Sequence, residues 1–134
     1  MNKLTIPIVP MGAVRMTHKG KFKDKNAQRY LTYKSAIQWQ LKQQLKGHQL
    51  ITGPVHVEIW FNMPIPSSWS GIKKKAAVGT RHCKKPDIDN LTKGLFDSLN
   101  KLIWADDNQV ASMTVYKVYE ETPGIEVIVK EVAV

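Results

Sequence analysis

The sequence holds a single cysteine, Cys83, so no internal disulfide can form, and one thiol cannot build a structural zinc site unless several histidines join it. It has no apolar run near the roughly 20 residues that a membrane helix needs. The N-terminus lacks the apolar stretch and small-residue cleavage site of a signal peptide. These absences predict a soluble, cytoplasmic chain with no membrane partner. No repeat or low-complexity segment is visible. The most informative scarcity is of acid: residues 1–85 carry sixteen Lys or Arg against only Asp24 and Glu58, whereas residues 86–134 carry four against nine acids. The charge changes sign at Pro86.

What is present fits one domain spanning residues 1–134. The 134 residues are 43% hydrophobic, with four Trp and four Tyr, which is enough to bury one modest core and too little for two. A net charge of +9 points to a polyanionic partner, because clustered cations gain affinity by releasing counterions from phosphate. The clusters are Lys19, Lys21, Lys23 and Lys25; Lys73, Lys74 and Lys75; and Arg81, His82, Lys84 and Lys85, which lead into an acidic pair. A basic surface serving only solubility is the plainer alternative.

Leu4, Ile6 and Ile8 alternate, predicting a first strand, at an edge because of Pro7. Residues 11–24 read as a basic loop. From Asn26, a plausible cap, Ala27, Tyr30, Leu31, Ile37, Leu41 and Leu45 recur at helical spacing until Gly47. Val55, Val57, Ile59 and Phe61 alternate with polar neighbours, a strand ended by Pro64 and Pro66. Ser67 or Ser68 can cap a short basic helix to about Ala77, and Leu91, Leu95, Leu99 and Leu102 predict a second long helix. Two further strands, around Met113–Val115 and Ile125–Val129, read as a hairpin about Pro123 and Gly124. The fold class expected is α+β, a mixed sheet with two long helices and one short helix packed against it.

The stretch KPDIDN, residues 85–90, places Asp87 and Asp89 two apart, a spacing that shares a face on extended chain and not on a helix. With Pro86 disfavouring helix at Lys85 and Asp89 or Asn90 suited to a cap, both carboxylates can point one way. Asp106 and Asp107 follow the same helix in a turn. A carboxylate from that turn would complete a cluster of three around a hard cation such as Mg²⁺. Lys93 shares a helical face with Asp89 and Asp97, where its ammonium could bind a phosphate or stabilise charge developing on it. Caps, a polar turn and weak surface ion pairs explain the same residues one at a time. They leave unexplained why five of the eleven acids fall between 87 and 107.

The stretch KPDIDNLTKGLFDSLNKLIWADDNQV, residues 85–110, resembles the core signature of the RusA family of Holliday junction resolvases: P-D-x-D-N-L-x-K, then F-D-S-L-N, then W-x-D-D-x-Q-V. The resemblance implies a RusA-like fold and a metal-dependent crossover junction endodeoxyribonuclease. It would act as a homodimer on branched DNA in recombination and repair, with Mg²⁺ as cofactor and Mn²⁺ as a substitute. It implies paired nicks that leave 5′-phosphate and 3′-hydroxyl ends. Position by position, Asp87, Asp89 and Asp107 match the family's essential metal-binding carboxylates and Lys93 its catalytic lysine. Asp106 matches a neighbouring acid of metal or structural role, and Asp97 a structural helix acid bonding Lys93 or backbone. A run of arginines before the first aspartate is replaced by Arg81, His82, Lys84 and Lys85, which bears on DNA-sequence preference because Lys lacks the bidentate fork of Arg. Upstream, the loop resembles the family's basic N-terminal loop, with Arg15 the best candidate for DNA contact beside Lys73, Lys74, Lys75, Arg81, Lys84 and Lys85. His82 reads as a surface histidine, with a metal or phosphate contact as its alternative. The rivals to this reading are a non-catalytic nucleic-acid-binding protein and a metal nuclease for flaps or other branched DNA.

Overall fold

Side chains that alternate apolar and polar along a strand leave one face of a sheet to be covered. In the computed structural model, which describes residues 2–16 and 24–134, that sheet has four strands in the order β1-β4-β2-β3. The strands are β1 (Leu4–Ile6), β2 (Val55–Pro64), β3 (Val110–Glu120) and β4 (Gly124–Glu131). β2 and β3 are parallel, and β4 is antiparallel to both β1 and β2. Helix α1 (Lys25–Gln44) links β1 to β2. The parallel pair is joined by the long crossover it requires, carrying α2 (Gly71–Ala77) and α3 (Ile88–Leu99). This is the expected α+β arrangement, with a mixed sheet, two long helices and a short one, to which a 3₁₀ turn at Asp107–Gln109 is added.

Register aligns the inward residues in rows. Leu4, Val127, Ile59 and Val115 form one row across the four strands, and Ile6, Ile125, Phe61 and Lys117 the next. Tyr30, Ile37 and Leu41 of α1 and Leu91, Leu95 and Leu99 of α3 are buried in the same core. Each such Leu or Ile contributes about 1.5–3 kcal/mol by leaving water. Ile103 and Trp104, just after α3, are also fully buried. The Trp104 indole N–H donates to the Asn100 side chain at 2.7 Å, which closes the turn around Lys101 (φ 68°).

Several boundaries differ from the sequence reading. Asp24, not Asn26, caps α1: its carboxylate accepts from the Asn26 N–H at 2.9 Å, and the helix ends at Gln44, with Gly47 (φ 77°) in the following turn. Ser70 caps α2 in place of Ser67 or Ser68. α3 starts directly after Asp87, because Pro86 restricts only the residue before it and leaves Ile88 free to be helical. α3 is also shorter than expected, since Leu102 lies in the turn beyond it. The expected hairpin is absent. β3 and β4 are neighbours in sequence, but β2 lies between them, and residues 121–123 step across its end. Two strands so separated are about 10 Å apart, a distance three residues can span.

β1 and β3 are the edges. The far half of β3 is covered by the segment after α2: Tyr119 N–H donates to Thr80 O at 2.9 Å, His82 N–H to Lys117 O at 2.9 Å, and Arg81 stands opposite Val118. Ala111, Ser112 and Met113 at its start remain exposed. No helix among the described residues is long and apolar enough to cross a membrane.

Candidate active site

Asp87 sits at the N-cap of α3 in extended conformation (φ −68°, ψ 148°), yet its side chain makes no cap hydrogen bond. The capping explanation therefore does not account for its carboxylate. Asp89, in the first turn of α3, is exposed, and neither it nor Lys93 enters an ion pair among the described residues. Lys93 thus does not bond Asp97. Asp97 instead accepts from the Tyr30 hydroxyl at 2.9 Å, which ties α3 to α1. Burial, and then the bond to Asp97, hold the Tyr30 phenol above its ordinary pKa.

The two acids after α3 have different employment. The Asp106 carboxylate caps the 3₁₀ turn, accepting from the Asp107 N–H at 2.9 Å. The Asp107 side chain makes no such bond. Gln109 closes the turn: its carbonyl oxygen accepts from the N–H groups of Ala105 and Asp106, and its amide donates to Ile51 O at 2.7 Å and Gly53 O at 3.0 Å. The turn is thereby fastened to the chain entering β2. Gln109 was legible only as part of the W-x-D-D-x-Q-V match, because a lone glutamine carries no local signal.

Two clefts meet at Asp89. One, of about 440 Å³, is walled by Asp89, Lys93 and Phe96 of α3 on one side and by Asp107 and the exposed start of β3 on the other. The second, of about 560 Å³, is lined by Asp87, Asp89, Arg81, Lys84, Lys85 and Lys117, among others. Among the described residues, no three His, Cys, Asp or Glu side chains stand close enough to hold a metal ion as they are placed. The carboxylates of Asp87, Asp89 and Asp107 are hard oxygen donors of the kind Mg²⁺ and Mn²⁺ take, so their chemistry fits a divalent cation.

Of the DNA-contact candidates, Arg81, Lys84 and Lys85 line the second cleft. Lys73, Lys74 and Lys75 lie apart from it on α2. Lys74 and Lys75 border a separate cleft with Glu121, and the Lys73 ammonium lies 4.0 Å from the Trp69 ring centroid. The Arg81 guanidinium rests 5.0 Å from the Tyr116 ring centre, and Tyr116 stacks on Trp60. Arg15 is exposed, two residues beyond Ala13, whose N–H donates to Asn90 O at 3.1 Å. A Cβ on Gly12 would lie 2.5 Å from the Asn90 side-chain nitrogen and 3.3 Å from Pro86 Cβ, so a side chain there would have to displace the Asn90 amide. The loop cations Lys19, Lys21 and Lys23 lie outside the described residues.

His82 is half-buried rather than a plain surface residue. Its ring packs 4.7 Å from that of Tyr119, and its Nδ1 is buried without a hydrogen-bond partner among the described residues. Burial, and then the nearby Lys117 and Lys84 ammonium groups, depress its pKa and favour the neutral ring. Lys117, unremarked in the sequence, donates to Lys84 O at 2.6 Å and to Pro86 O at 2.8 Å.

The family model described as Endodeoxyribonuclease RusA matches residues 6–130. The chain belongs to the RusA endodeoxyribonuclease family. The match runs from the last residue of β1 to the penultimate residue of β4, and so includes every residue of the candidate site. Family membership implies endodeoxyribonuclease activity. The chain is also 38% identical over 128 residues to the uncharacterized protein YqaN of Bacillus subtilis (strain 168), an alignment covering 92% of this chain and 87% of that protein.

Proposed function

We propose that this RusA-family chain is a Mg²⁺-dependent endodeoxyribonuclease that resolves four-way DNA junctions in recombination and repair. It would act as a homodimer that nicks opposing strands. The observation that carries the reading is the position of Asp89. It is common to a cleft holding Lys93 and Asp107 and to a cleft holding Asp87 and the cations Arg81, Lys84 and Lys85. None of the three carboxylates serves as a cap or in an ion pair among the described residues.

In this reading Asp87, Asp89 and Asp107 hold the divalent cation, Mg²⁺ or Mn²⁺. When bound, it supplies Lewis acidity at the scissile phosphate and an activated water. The side chains of the protein do the rest. Lys93 donates to the phosphate oxygens as charge accumulates during displacement. Arg81, Lys84 and Lys85 hold the strand beside acids that would otherwise repel it, and Arg15, Lys73, Lys74 and Lys75 extend the basic surface. Asp106 shapes the turn that presents Asp107.

A panel of four-way junction, fork, flap and plain duplex, with cuts mapped on each strand, tests the substrate. Symmetric junction cuts ending in 5′-phosphate and 3′-hydroxyl are expected, and a preference for flaps refutes the junction assignment. Asp87→Asn is expected to bind junctions like the parent and to lose cleavage by at least about a hundredfold, since groups that merely orient metal ligands are already worth about 10–100-fold. Chelation with EDTA should abolish cutting and spare binding. A parent protein that binds junctions and never cuts them with Mg²⁺ or Mn²⁺ is not the enzyme proposed.

A further inference from the structure

Lys117 points toward the core side of an edge strand, in the row completed by Ile6, Ile125 and Phe61, where an apolar side chain would ordinarily sit. One use of an inward charge is to keep an open edge from pairing with another chain. That use does not apply here. The edge at Lys117 is already paired, since its own carbonyl accepts from the His82 N–H, and Tyr119 N–H donates to Thr80 O. A solvated surface lysine does not fit either, because the ammonium is held by two carbonyl oxygens, at 2.6 Å from Lys84 and 2.8 Å from Pro86.

Those two carbonyls belong to the turn that delivers the first aspartate, and Pro86 O is the acceptor immediately before Asp87. Among the described residues, no other hydrogen bond holds the backbone of Cys83–Pro86. The segment is fixed at His82 by β3, and at Asp87 by the first turn of α3 through Leu91 N–H. Between those points it depends on Lys117. We propose that Lys117 is a positioning residue for the metal site, anchoring the turn at residues 84–86 so that the Asp87 carboxylate is held toward the cleft it shares with Asp89. This rests on the assignment of Asp87 as a metal ligand.

The sign of the effect separates positioning from electrostatics. Lys117 is a cation lining the same cleft as Asp87 and Asp89. Through space its charge opposes a metal ion, so its removal would tighten metal binding if charge were its only influence. Through the backbone it holds a ligand in place, so its removal weakens metal binding. Groups that orient metal ligands from behind are worth about 10–100-fold in affinity or activity.

The test is Mn²⁺ binding, followed by electron paramagnetic resonance of the free ion, together with Mg²⁺-dependent junction cleavage by the full chain. Lys117→Met is expected to bind Mn²⁺ about 10–100-fold more weakly and to require correspondingly more Mg²⁺ for cleavage, with metal-free junction binding retained. In a Cys83→Ser background, Lys117→Cys should show the same loss, and aminoethylation of its thiol should restore Mn²⁺ affinity. That comparison is made within one folded protein and decides the matter even where Lys117→Met folds poorly. Unchanged or tighter Mn²⁺ binding on loss of the ammonium, or no recovery on aminoethylation, overturns the inference. Asp87→Asn run alongside separates the two readings. If it loses Mn²⁺ and cleavage while the Lys117 variants do not, only the positioning role fails. If it keeps both, the metal-ligand assignment fails and takes the inference with it.

Discussion

Tyr30 and Asp97 show how a residue can match a family signature and still serve the frame. The phenol is buried at 1% exposure and donates to Asp97, and deprotonating it would place two negative oxygens 2.9 Å apart. Its folded pKa is therefore raised above the unfolded value near 10. The linkage sign follows: this contribution to stability is complete below about pH 10 and is lost as pH rises through the folded value. Tyr30→Phe should cost about 1–3 kcal/mol at pH 7, because Asp97 loses its donor. It should also flatten the fall in stability above pH 10 relative to the parent, as read by urea unfolding across that range. A steeper alkaline fall in the variant would contradict this.

At the scale of elements, the turn between α3 and β3 depends on one side chain. Gln109 satisfies four backbone groups, and its loss leaves Ile51 O and Gly53 O without their donor. Gln109→Ala should lower stability by about 1–3 kcal/mol in chemical denaturation. It should also reduce cleavage more than junction binding, because it loosens the turn carrying Asp107. Equal losses of binding and cleavage would count against that role. The elements themselves were largely legible because their signals are local: period-two alternation in β2, three- and four-residue spacing in α1 and α3, prolines at and just beyond the end of β2. Caps were less so, since Asp24, Ser70 and Asp87 compete with equally suitable neighbours and only three-dimensional context selects among them. The hairpin misreading has the same origin. Sequence adjacency of β3 and β4 carries no information that β2 pairs with both.

For the whole molecule, the charge asymmetry read from the chain becomes a division of surface. Arg81, Lys84 and Lys85 stand beside the acids, while Lys73, Lys74 and Lys75 stand away from them. The logarithm of the junction-binding constant should fall linearly with the logarithm of salt concentration. Replacing the three lysines of α2 by Gln should flatten that slope by about one unit for each that contacts phosphate, with the cleavage rate at saturating enzyme unchanged. An unaltered slope would remove α2 from the DNA surface. The motif residues of the candidate site were legible because they fall within 26 consecutive positions. Lys117 was not, since its partners lie more than thirty residues away and a lone lysine in a strand pattern announces nothing. The strand order β1-β4-β2-β3 has one more consequence, for the order of assembly. Both neighbours of β2 are made after it, and β1 has no partner until β4 appears. A nascent chain therefore carries the backbone donors and acceptors of β2 without their strand partners until β3 and β4 are made. A fragment ending at Glu120 should be digested rapidly by protease where the full chain resists, and the sheet should be complete only once the final strand has threaded between two that were made long before it.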